Sequence, residues 1–176
     1  MEPIDEIVRN FEHVRRSTLR TVQGLTKEQL AWRPSSTANP ASFILWHTAR
    51  NEDLWIHRLG PRRPQVYEAA GFDRRFNLTI PAGKSIWITV GTGWTAEHVA
   101  DFPACEPGLL LGYLEAVRAD TISYTHGLAP ADLEVKPWPE RSPNTIGWVL
   151  RQMAFHEAYH IGQIDYVHGL LEDRVL

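Results

Sequence analysis

Two histidines four residues apart, His156 and His160, fall in a stretch whose apolar positions recur at helical spacing. At about 100° per residue, Val149, Met153, His156, His160, Gln163, Ile164, Val167 and Leu171 share one face, and Arg151, Ala158, Asp165 and Gly169 take the opposite one. Side chains at i and i+4 lie about 5–6 Å apart at Cβ, so both rings can reach one metal ion at about 2.0–2.1 Å. A second stripe, Phe43, Ile44, His47, Asn51, Leu54 and Trp55, carries His47 in its middle. Three imidazoles are therefore aimed inward from two helices. A lone inward histidine is ordinarily a hydrogen-bonded core residue. Three on converging faces favour a metal over core packing, because burying a polar group without a partner costs about 1–3 kcal/mol. Three protein ligands leave an open position, which suits a catalytic ion rather than a structural one. Asn51 and Gln163, each one turn beyond a ligand, are placed to orient the rings from behind.

The run His156-Glu157-Ala158-Tyr159-His160 also matches the H-E-x-x-H pattern of zinc peptidases. The longer metzincin form needs a glycine and a third histidine where Gln163 and Tyr166 stand, and only 16 residues follow His160. The third ligand is therefore sought upstream, at His47. Glu157 sits about 100° around the helix from His156, at the edge of the core face. It can act catalytically on a water at the metal or simply contact solvent, and solvent is the expected placement. Of the other histidines, His13 and His126 fall on solvent sides, His57 lies off its stripe, His168 lies on a flank, and His98 belongs to a short helix that borders the pocket or solvent.

The elements that must position these rings follow from the same periodicity. Ile4, Val8, Phe11, Arg15, Thr18 and Val22 form one stripe, so a first helix is expected over residues 3 to 24, opened by Pro3 and ended by Gly24. Thr26 to Gln29 reads as a capping box opening one short turn. Asn39-Pro40 starts a second helix and Gly60-Pro61 stops it. A third runs from Pro107 to about Gly127, and a fourth, capped by Thr145, reaches about Leu171. The long connection from Gly60 to Pro107 is expected to drape over one end, with an extended piece at Ile86 to Val90 and a helical turn capped by Thr95. Four amphipathic segments without a strand hairpin predict one all-α domain over residues 1 to 176, a four-helix bundle with long connections. Within the connection, Trp87, Trp94 and Arg75 are candidates for walls of a substrate pocket, although tryptophans commonly fill the end of a bundle and loop arginines are commonly solvated.

Composition narrows the function classes. The 176 residues carry eight histidines, one cysteine and a formal net charge of −3. A single cysteine, Cys105, makes neither an internal disulfide nor a zinc knuckle, which suits a cytoplasmic setting. With 18 Lys+Arg against 21 Asp+Glu, no basic footprint for nucleic acid is expected, and no apolar run suits a signal peptide or a membrane span.

Trp32-Arg33-Pro34, the stretch Asn39 to Asp53 (NPASFILWHTARNED), the stretch His156 to Leu171 (HEAYHIGQIDYVHGLL) and Gly91 to Thr95 together resemble the DinB-like family of four-helix-bundle metalloenzymes. The resemblance spans nearly the whole chain. It implies a divalent metal, nickel or zinc, held by His47, His156 and His160, and a reaction on a small molecule. Characterised relatives include S-transferases that use a low-molecular-weight thiol, so thiol transfer and hydrolysis are both implied, with a non-catalytic metal-binding stress or interaction protein as the alternative. Homodimers are common in the family, and Ala158, Gly162 and Gly169 form a small-residue stripe that another helix, or merely a covering loop, can approach. Since Cys105 is expected to be an inert packing residue, any thiol must come from solution.

Overall fold

The computed structural model describes residues 2–59 and 64–172. Every regular element among them is helical: α1 (Pro3–Val22), α2 (Lys27–Ala31), α3 (Ala41–Leu59), α4 (Val66–Ala69), α5 (Phe72–Phe76), α6 (Ala96–Ala100), α7 (Pro107–His126) and α8 (Ile146–Leu171), with 3-10 turns at Ile86–Val90 and Pro130–Glu134. The four long helices close on one another: α1 packs on α7 and α8, and α3 packs on α7 and α8. No described helix is long and apolar enough to cross a membrane.

Local chemistry explains most boundaries. Pro3 occupies the first turn of α1, and the helix stops at Val22 rather than 24 because Gln23 is already extended and Gly24 has φ +81°. At α2, the Gln29 amide donates to the Thr26 hydroxyl at 3.2 Å while the Thr26 amide donates to Gln29 Oε1 at 2.9 Å. This reciprocal pair satisfies two orphan N–H groups and sustains a helix only five residues long. Helix α3 opens immediately after Pro40. The expected stop at Gly60-Pro61 lies outside the described residues. The segment Ile86–Val90 is not extended as expected but wound into a 3-10 turn, capped by Ser85 and closed by Gly91. Its β-branched residues favour a strand only where a partner strand exists, and the described chain contains none.

One apolar cluster gathers Phe43, Leu45, Trp46, Tyr113 and Leu114 with Tyr67, Phe72 and Phe76 of the connection. A second unites Ile4, Ile7 and Phe11 of α1 with Ile56, Val149, Leu150 and Met153. The connection is tied down by Asp53, fully buried on α3, whose carboxylate accepts from the Val66 and Tyr67 amides at 2.9 Å and from the Tyr113 hydroxyl at 2.7 Å. His57 is buried as well, its Nδ1 3.0 Å from Asp53 and its Nε2 3.4 Å from Asp120, so it belongs to the core.

Each long helix also contributes one charged residue to a single buried ionic cluster. Arg15 of α1, Glu52 of α3, Arg118 of α7 and Glu157 of α8 are all buried. Arg118 meets Glu52 in a two-pronged pair, both contacts at 2.8 Å, and also donates to Glu157. Arg15 reaches Glu157 at 2.9 Å, Thr18 donates to the same oxygen at 2.7 Å, and Arg15 Nη2 lies 3.5 Å from Glu52. The expected solvent-facing Glu157 is therefore 1% exposed. The reason is that its edge of α8 faces the two arginines rather than water. Burial works against the Glu52 carboxylate's charge, but Arg118 and Arg15 outweigh it and hold Glu52 down to about 2.

The outer face of α8 is unusual. Ala158 and Gly162 are exposed there, but Gly169 is buried, so the expected small-residue stripe is broken. The large side chains Phe155, Tyr159, Tyr166 and Leu170 are exposed instead.

Removing one partner from a buried ion cluster costs about 3–5 kcal/mol, because the remaining charges stay desolvated. Arg118→Met is expected to lower the urea-unfolding free energy by that amount while the native far-UV signal persists. A midpoint equal to wild type would show that Glu52 and Glu157 do not depend on Arg118.

Candidate metal centre

Helix α3 supplies His47, and α8 supplies His156 and His160 one turn apart. One ring nitrogen from each can be chosen so that all three lie within 4.8 Å of one another. Ring centroids are 5.2 Å apart for His47 and His156, 5.0 Å for His47 and His160, and 4.4 Å for His156 and His160.

Two of the rings are oriented by oxygen atoms, which accept a hydrogen bond. His47 Nδ1 donates to the Val90 carbonyl oxygen. His160 Nδ1 donates to Gln163 Oε1 at 2.8 Å. A neutral imidazole with its proton on Nδ1 carries a lone pair on Nε2, so both rings present Nε2 as a ligand atom. His160 Nε2 lies 3.1 Å from His156 Nε2. Two nitrogens bound to one ion at about 2.0–2.1 Å, with angles between octahedral and tetrahedral, stand about 2.9–3.4 Å apart. The α8 pair fits that bite.

Charge and burial agree with the donor chemistry. Burial pushes the His47 imidazolium down to about 4, opposed by the Val90 carbonyl and assisted by His160. Burial and the neighbouring His160 and His47 rings push His156 down to about 3, and burial lowers His160 as well. All three rings are therefore neutral at pH 7, the state in which they bind metal. Among the described residues, no other histidine, cysteine, aspartate or glutamate joins the three.

The Val90 carbonyl reaches α3 because of its neighbour. Gly91 has φ +92°, and a Cβ there would lie 2.9 Å from the Phe43 ring and 3.0 Å from the Trp46 ring. Only glycine permits that turn to approach so closely. Phe43 in turn stacks on His47, with centroids 6.2 Å apart and planes at 14°.

The profile of the DinB superfamily matches residues 10–164. The chain belongs to the DinB superfamily. A solved structure, that of a conserved protein from Enterococcus faecalis, is similar over 99% of both chains, with TM-score 0.83 and 24% sequence identity, a likeness of fold. No curated protein matches the chain. In this DinB protein, as the family commonly binds metal, the three histidines form a cluster that can hold an ion.

The other expected site residues distribute unevenly. Gln163 contacts His160, and Asn51 shares with His156 the lining of a small cavity of about 70 Å³. Glu157 is committed elsewhere: Arg15 and Thr18 occupy Oε1 and Arg118 occupies Oε2. Trp87 packs on Trp55, centroids 5.1 Å apart, and Trp55 lines the cavity beside His156. Trp94 donates its indole N–H to the Ile88 carbonyl at 2.8 Å and walls a cavity of about 510 Å³ that touches none of the three histidines. Arg75 is exposed, with its guanidinium 4.5 Å over Phe72, and is not brought to the cluster. Sequence reasoning missed the Val90 carbonyl, since a backbone acceptor has no side-chain signature. The available signal was Gly91.

The depressed imidazoles fix a pH dependence for the protein stripped of metal. The unfolded chain takes up protons below about pH 6.5, whereas folded His47 and His156 do so only near 4 and 3. Their contribution to stability is therefore complete above pH 6.5 and is lost progressively as pH falls toward those values. The thermal midpoint of chelator-treated protein is expected to drop between pH 7 and 5, above the carboxylate range, and His156→Gln is expected to flatten the slope. A midpoint unchanged across that interval would contradict neutral, buried rings.

Proposed function

We propose that this DinB protein is a divalent-metal-dependent enzyme acting on a small molecule, by S-transfer from an external low-molecular-weight thiol or by hydrolysis. The observation that carries this reading is the convergence of three neutral imidazoles, two of them held as Nδ1–H tautomers by Val90 and Gln163. When bound, a divalent ion such as nickel or zinc supplies a Lewis acid that favours the deprotonated form of a coordinated water or thiol.

The chain's own residues supply the rest. His47, His156 and His160 are the ligands, and with no carboxylate among them the donor set leaves the ion's full +2 charge in place. The absence of a fourth ligand among the described residues leaves a position for a reacting group. Val90 and Gln163 prevent the rings from turning and from presenting a protonated nitrogen. Asn51, buried at the cavity beside His156, offers an amide able to donate to or accept from whatever enters. Cys105 is a poor nucleophile, since burial pushes its thiol up to about 11, so a transferred sulfur has to arrive from solution.

Elemental analysis of tag-free protein is expected to find about one divalent ion per chain, and His156→Ala to lose the ion and turnover together while remaining helical. Conjugation of a small thiol to 1-chloro-2,4-dinitrobenzene, set against hydrolysis of a p-nitrophenyl ester, separates the two chemistries. Metal content unaltered in both His156→Ala and His160→Ala would overturn the ligand assignment. Bound metal without turnover in either assay would make the site a binding site only.

A further inference from the structure

A second cavity, about 110 Å³, is lined by Trp55, Arg58, Trp87, Trp138, Arg141 and Ser142. Trp55 also lines the small cavity beside His156, so one indole separates this cleft from the metal centre. Three tryptophans form its apolar wall, with Trp55 5.1 Å from Trp87 and 5.5 Å from Trp138 between centroids. The two guanidiniums are its polar end. Arg58 lies 5.8 Å over the Trp138 ring. Among the described residues, neither Arg58 nor Arg141 pairs with a carboxylate, in contrast to the interior arginines Arg15, Arg50 and Arg118.

Two arginines without a carboxylate partner among the described residues, in one cleft of a chain with net charge −3, form a local positive site in an acidic protein. Guanidinium binds planar or tetrahedral oxyanions with several parallel N–H donors, and indole faces take an apolar body of matching flatness. From this juxtaposition we propose that the cleft binds the oxyanion end of the substrate: a small carboxylate or phosphate with an apolar body, whose anion meets Arg58 and Arg141 and whose other end passes Trp55 toward His156. The assignment rests on the metal-enzyme reading for its reaction, though not for its anion binding. It also gives Trp87, which packs on Trp55, a place in the cleft wall.

The test titrates the metal-loaded protein and the chelator-stripped protein with 3-phenylpropionate, its neutral isostere 3-phenylpropanamide, and phenyl phosphate, following tryptophan fluorescence. The stripped protein is included because a carboxylate can also coordinate the metal directly. In both forms, the anions are expected to bind about tenfold tighter than the amide, the scale of one charge-assisted pair. The stronger of the two anions identifies the headgroup. Arg141→Gln, at an exposed position, is expected to reduce that preference severalfold without altering the thermal midpoint, and Arg58→Gln with Arg141→Gln to abolish it. Equal binding of acid and amide by stripped wild-type protein, or an undiminished preference in the double variant, would overturn the proposal. An intact preference in a chain that binds no metal sustains the cleft and removes the metal reading. A metal-loaded chain with no preference does the reverse.

Discussion

Two arginines and two glutamates, one from each long helix, neutralise one another in the interior, and the rotational setting of all four helices depends on them. Arg118 of α7 bridges Glu52 of α3 and Glu157 of α8, and Arg15 of α1 closes the group. Such clusters are weak sources of net stability, because desolvation consumes most of the Coulombic gain. Their effect is on register. Turning α8 by one residue, about 100°, would leave the Glu157 carboxylate buried away from both guanidiniums, at a cost of several kcal/mol. Apolar positions alone tolerate such slips more readily, since one aliphatic side chain replaces another with modest penalty.

That phase places the three-histidine cluster. With Glu157 directed at α1 and α7, His156 beside it faces α3, and His160 follows one turn on. Glu52, five residues after His47, fixes α3 in the same way, and its charge is close enough to act on His156. What the helices cannot set is the tautomer of His47, whose ring is held by a backbone carbonyl from the connection. The connection reaches it only through the positive φ of Gly91 and is anchored at its other end by Asp53. The long loop is thus part of the site, although it contributes no ligand.

Much of this was legible in the sequence because helical periodicity is. The inward settings of His47, His156 and His160 followed from spacing alone, as did the long helices, the capping box at Thr26 and the cap at Thr95. Glu157 was misplaced because a helical wheel locates a residue relative to its own axis and says nothing of what faces its edge. A signal was nonetheless present: Arg15 lies within the apolar stripe of α1, and a buried arginine requires a carboxylate partner. The extended piece expected at Ile86 to Val90 failed for a related reason, since extended propensity describes packing against neighbours that the described residues do not provide. The cleft of Trp55, Trp138, Arg58 and Arg141 joins two short segments about eighty positions apart, and no local pattern announces it.

The central claim is that three neutral imidazoles and one exchangeable position define the centre. X-ray absorption at the metal edge of the loaded protein tests it most directly. The account predicts three imidazole nitrogens at about 2.0–2.1 Å, with the outer-shell scattering of histidine rings, and one light-atom ligand that a small thiol replaces with sulfur at about 2.3 Å. A spectrum without imidazole scattering, or a coordination sphere closed by protein ligands and unchanged by added thiol, would contradict it.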